Sequence, residues 1–111
     1  MSRRYNLRFK KLEDIPEDRN YIEADPQSRE IKIVDTSRNI LTISSSEGLE
    51  DLISFLRTVP KNRDCYIYET NSKARGIIGK LKISGIKTEE LITYLWQAEI
   101  IANPIPYLKE F

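Results

Sequence analysis

The stretch SSSEGLEDLISFLRTVP, residues 44–60, decides how the rest of the chain is read. Leu49, Leu52, Ile53 and Leu56 stand at i, i+3, i+4 and i+7, and Phe55 and Val59 widen the same apolar stripe, which is the spacing of an amphipathic helix. Ser44 with Glu47 has capping-box spacing, and Ser45 or Ser46 serves equally well as N-cap. Glu47, Glu50 and Asp51 place negative charge where the helix dipole favours it. Arg57 suits the other end and Pro60 stops the helix, so about four turns are expected over 46–59. One apolar face requires a sheet or a second helix to cover it.

Working outward, the preceding residues alternate with a period of two. Ile31 and Ile33 share one side of a strand over 30–35, Leu41 and Ile43 one side of a strand over 39–44, and a short strand is expected over 21–24. Asp25-Pro26-Gln27-Ser28 and the residues 36–39 carry turn chemistry between them. Further back, Tyr5, Leu7 and Phe9 alternate with Asn6, Arg8 and Lys10, a strand with a basic outward side, and residues 11–20 form an exposed connection. An antiparallel meander thus leads into the helix.

Beyond Pro60 a polar turn leads to a strand over 65–69, with Tyr66 and Tyr68 opposite Cys65 and Ile67. Residues 73–85 fit two readings. The alternation of Lys80, Leu81, Lys82 and Ile83 favours a hairpin arm, whereas Ala74, Ile77, Ile78 and Leu81 also fit a helix; the strand is preferred. Thr88 as N-cap, Glu89 and Glu90, then Leu91, Ile92, Leu95 and Trp96 mark a helix over 88–101. Pro104 and Pro106 end it and send out an extended tail over 103–111.

The expectation is one α+β domain spanning residues 1–111: an antiparallel sheet of about five or six strands with two helices on one face, or three if 73–85 were helical. At 40% hydrophobic and 32% charged the composition is that of a folded chain. No apolar run reaches the roughly 18–20 residues of a membrane span, and residues 1–11 lack the apolar segment of a signal peptide, so a cytoplasmic protein is expected, with no membrane partner. Many isoleucines with few Cys, Met, Gln or His lean toward a heat-adapted source.

With one cysteine and no histidine, an intrachain disulfide and the usual zinc ligand sets are excluded, and the commonest general base is missing. Cys65 beside Lys61 and Arg63 is read as a small buried apolar residue rather than an activated thiol. The acidic groups Asp14, Glu17 and Asp18, and Glu47, Glu50 and Asp51, are read as solvated surface acids. No catalytic residue, metal or cofactor is assigned.

The net charge of +1 conceals segmentation. Residues 1–11 carry five positive charges and no acid; residues 12–60 balance at −6, residues 61–87 at +5 and residues 88–111 at −3. The leading expectation is therefore a non-catalytic module that binds nucleic acid, DNA or RNA, through Arg3, Arg4, Tyr5, Arg8, Lys10, Lys61, Arg63, Lys73, Arg75, Lys80 and Lys82, with Tyr66 and Tyr68 able to stack on bases. Gly76-Ile77-Ile78-Gly79 has the spacing with which KH domains clamp a backbone, but its apolar middle and the order of elements around it do not complete that fold; two glycines allowing close backbone packing is the preferred reading. A helix-turn-helix over 73–101 would place the acidic start Glu89-Glu90 in a major groove, the wrong sign for phosphate. The runner-up is an adaptor or inhibitor that binds a protein partner, or a second copy of itself, through a sheet edge or through Trp96, Ile105, Tyr107, Leu108 and Phe111.

Overall fold

A computed structural model describes residues 21–62 and 64–103. In chain order it runs β1 (Tyr21–Asp25), β2 (Glu30–Val34), β3 (Ile40–Ile43), α1 (Ser46–Thr58), β4 (Tyr66–Ser72), β5 (Ile77–Ile83) and α2 (Thr88–Ala102), with single 3-10 turns at Lys73–Arg75 and Gly85–Lys87. The five strands form one antiparallel sheet in the order β1-β2-β3-β5-β4. The expected α+β architecture is the observed one. The strand expected around Tyr5 to Phe9, the connection over 11–20 and the tail from Pro104 onward lie outside the described residues.

Residues 73–85 resolve into a 3-10 turn followed by β5, so the strand reading holds and the first helix of a helix-turn-helix is absent. The reason lies in β3: Ile77, Ile78 and Gly79 pair with Ile43, Thr42 and Leu41, and this ladder removes the backbone groups a helix would use. Because β5 lies between β3 and β4, the segment β3-α1-β4 is a split β-α-β unit whose helix crosses one sheet face.

Two glycines make that insertion possible. Gly76 (φ 75°) closes the turn into β5, and a Cβ there would overlap the Ser45 side chain; Gly79 (φ 128°) lies against the Ile40 carbonyl, where a Cβ would collide with backbone.

The inward row reads across the sheet as Ile22, Ile33, Leu41, Gly79 and Thr70, each directly opposite the next. Ile31, Ile43, Ile77, Leu81 and Ile83 share that side and are buried with Leu49, Leu52, Ile53 and Leu56 of α1 and Leu95, Ala98 and Ala102 of α2 in one core. Helix α2 lies over β1 and β2, α1 over β3, and the two helices touch. Among the described residues both therefore cover the same face, and of the other face Lys32, Ile67, Ile78, Lys80 and Lys82 are exposed while Val34 is buried against Ile40.

On β4 the side chains are turned the opposite way from the expected one. Tyr66 and Tyr68 point toward the helices, with Tyr68 and Phe55 ring centroids 4.9 Å apart, while Ile67 and Cys65 are exposed. Cys65 is thus not a buried apolar cysteine. Helix α1 provides a large aromatic partner at Phe55, so the tyrosines bury more surface on that side than the smaller Ile67 would.

Asp35 is almost fully buried at the end of β2. Its carboxylate accepts from Ser37 N (2.8 Å), Asn39 N (3.0 Å) and Asn39 Nδ2 (3.0 Å), and from Lys82 N of β5 (2.7 Å). One side chain shapes the β2-β3 turn and ties it to the strand inserted 47 residues later.

Candidate functional site

The residues expected to bind nucleic acid separate into three places. Lys73 and Arg75 lie in the turn beside the start of α1, Lys61 follows the end of α1, and Lys80 and Lys82 project from the open face of β5. Arg3, Arg4, Tyr5, Arg8, Lys10 and Arg63 lie outside the described residues, as do Ile105, Tyr107, Leu108 and Phe111.

Two of the cations are engaged locally. Arg75 holds Asp51 of α1 through Nε to Oδ2 (2.6 Å) and Nη2 to Oδ1 (2.9 Å), and that carboxylate keeps the guanidinium charged to higher pH than usual. The same corner is fastened by Ser45, which accepts from Gly48 N as the N-cap of α1 and donates to the Arg75 carbonyl, and by Ser44 N on the Gly76 carbonyl (2.7 Å). The N-cap is Ser45, one of the three serines the sequence offered. The GxxG stretch is thereby committed to seating α1 on the sheet.

Lys61 pairs with Glu89 of α2. Both also line a groove of about 450 Å³ between the end of α1 and the start of α2, together with Leu56, Arg57, Val59, Thr88, Ile92 and Thr93. Thr88 does not cap α2. It is already helical, and its hydroxyl donates to the Gly85 carbonyl, because the 3-10 turn Gly85–Lys87 leads straight into the helix.

The open sheet face mixes both signs. Lys32 lies opposite Glu23 and Lys80 opposite Glu69, while Lys82 lies opposite Ile67 and Ile78 opposite Asn71. Like Lys32, both β5 lysines are exposed. Cross-strand acids beside two of these three lysines lower the local positive potential. Tyr66 and Tyr68, facing the helices, offer no stacking surface on this side.

On the helix layer the outward stripe of α2 runs Glu89, Thr93, Trp96 and Ile100 at i, i+4, i+7 and i+11. Trp96 is 40% and Ile100 48% exposed, one turn apart, and Ile86 is exposed in the turn before the helix. A sequence reading for outward-facing apolar residues finds this stripe only once the buried side of α2 is known, because the helix is apolar around most of its circumference.

The buried side of α2 also carries a carboxylate. Glu99 accepts from Ser46 Oγ of α1 (2.9 Å) and Asn103 Nδ2 (2.8 Å), joining the start of one helix to the end of the other. Sequence reasoning missed this contact, since Glu99 and Ser46 are 53 residues apart. Among the described residues no group of three or more His, Cys, Asp or Glu side chains converges as metal ligands, and no helix is long and apolar enough to cross a membrane.

Compared with protein-family models, with curated proteins and with solved structures, the chain matches no family, no curated relative and no solved structure.

Proposed function

We propose that the protein is a small non-catalytic module that acts by binding another protein through the outward stripe of α2, centred on Trp96 and Ile100. The observation that carries this reading is the exposure of a tryptophan and an isoleucine one turn apart on a helix whose opposite side is fully engaged in the core. Tryptophan is among the side chains that most often dominate binding energy at interfaces, and this apolar pair keeps 40% and 48% of its surface available for a partner.

A second reading, nucleic-acid binding by a cytoplasmic protein, rests on Lys80 and Lys82 alternating on the open face of β5 in company with Lys32, and on the five cations within residues 1–11. The acids beside Lys32 and Lys80 and the local engagement of Arg75 and Lys61 make it the weaker of the two.

One experiment separates them. A photo-cross-linking amino acid is placed in turn at Trp96, Ile100, Lys80 and Lys82 of the full chain in its host cells. The first reading expects protein adducts from 96 and 100; the second expects nucleic-acid adducts from 80 and 82. Absence of adducts at 96 and 100 sinks the first. Absence of any DNA or RNA binding by the purified chain at about 50 mM salt sinks the second.

A further inference from the structure

The two outer strands of the sheet are built differently. β1 is five residues long, runs into Asp25-Pro26, and carries a buried Glu23 on the face away from the helices. β4 is seven residues long, keeps an unbroken register with β5 from Tyr66 to Ser72, and contains no proline, lysine, arginine or bulge, its one charged side chain being Glu69. Folded proteins normally blunt an edge with one of those devices, because the unpaired N–H and C=O groups along it are a template for another strand. Among the described residues β4 pairs with β5 alone. On its open side it also presents Ile67, 51% exposed.

We propose that β4 is a homodimerisation edge, pairing antiparallel with β4 of a second copy about a two-fold axis through Ile67. Such a contact is isologous, so only the position of the axis decides which side chains meet. An axis at Glu69 sets two carboxylates directly opposite each other, which is repulsive. An axis at Tyr68 sets Ile67 against Glu69 twice, an apolar side chain against a charge.

With the axis at Ile67, Ile67 meets Ile67 on the open face and Glu69 meets Cys65, the residue before the strand. On the helix-covered face Tyr66 meets Tyr68 twice, giving two cross-strand aromatic pairs. Each Glu69 keeps Lys80 as its neighbour on β5. The two Lys82 side chains, one flanking each Ile67, are separated by three strand spacings, about 14 Å, beyond the roughly 8 Å screening length at physiological salt. Unlike the axes at Glu69 and Tyr68, this one buries isoleucine against isoleucine and opposes no like charges. It joins two five-stranded sheets into one and leaves the α2 stripe outside the contact.

Sedimentation of the full chain over rising concentration is expected to shift from the 13.0 kDa monomer toward twice that mass. Ile67→Glu is expected to hold the monomer mass with an unchanged circular dichroism spectrum, since the side chain is exposed and contributes little to the core. In a Cys65→Ser background, Ile67→Cys should yield a disulfide-linked dimer on mild oxidation, and Glu69→Cys far less. A wild-type chain that stays monomeric, an Ile67→Glu dimer, or stronger cross-linking at 69 than at 67 overturns the proposal. So does loss of the dimer on Trp96→Ala, which would assign association to α2.

Discussion

Helices α1 and α2 lie side by side on the same sheet face, yet they are held by different means. α1 has an apolar stripe with a polar back, a side-chain N-cap at Ser45, and a two-point ion pair from Asp51 to Arg75. α2 begins from a 3-10 turn without a side-chain cap, is apolar around most of its circumference, and leaves Trp96 and Ile100 in solvent. The difference teaches that a helix needed only for the fold can satisfy all its apolar surface against one sheet. A helix with apolar residues on both sides has surface to spare for another contact.

The strongest way to break this comparison is truncation on both helices. Leu52→Ala on α1 removes a side chain with no exposure and is expected to cost about 2–5 kcal/mol, whereas Trp96→Ala, at a position 40% exposed, should cost less, about 1–3 kcal/mol, both from urea unfolding followed by circular dichroism. Equal losses would mean that Trp96 is a core residue and would remove the main support for the α2 contact.

Glu99 tests what the helices share. Glu99→Ala leaves the Ser46 hydroxyl and the Asn103 amide without their acceptor and is expected to cost about 1–3 kcal/mol, with Glu99→Gln retaining part of the stability. A neutral Glu99→Ala would show that the two helices are joined by apolar packing alone.

The helix starts give a smaller contrast. Ser45→Ala should cost about 1 kcal/mol, because Gly48 N and the Arg75 carbonyl both lose a partner, while Lys87→Ala at the uncapped start of α2 should change stability by no more than about 0.5 kcal/mol. Thermal unfolding of the two variants under one buffer measures the difference.

The smallest effect is one of pH, and it belongs to the α1 side. Burial, and then the nearby negative charge of Asp51, push the Tyr68 phenol above its ordinary value. The folded state therefore holds that proton more tightly than the unfolded chain does. Stability is unaffected below about pH 10 and falls as pH rises through and beyond it. Tyr68→Phe should flatten that alkaline decline; an identical decline in the variant would place its cause elsewhere.

Much of the fold was legible because local signals agreed. Ile31, Ile33, Leu41 and Ile43 alternate, and Leu49, Leu52, Ile53 and Leu56 repeat with helical spacing, so their inward faces followed from period alone. The orientation of β4 did not. Alternation shows that Tyr66 and Tyr68 share one side and Ile67 the other, but which side faces the core depends on Phe55, a residue from another element. The same limit applies to the candidate surfaces. The basic residues of 61–87 are close in sequence, yet Arg75 meets Asp51 of α1, Lys61 meets Glu89 of α2, and Lys80 and Lys82 leave by the far side of the sheet.

By itself the sequence determined an α+β chain with an amphipathic helix between two sets of strands, because hydrophobic period and cap chemistry act over a few residues. Only the tertiary structure decided that β5 inserts between β3 and β4, that Asp35 reaches Lys82 and Glu99 reaches Ser46, and that Trp96 and Ile67 stay in solvent. These outcomes depend on which distant groups satisfy one another's buried hydrogen bonds and which apolar surfaces the finished core has no room to cover.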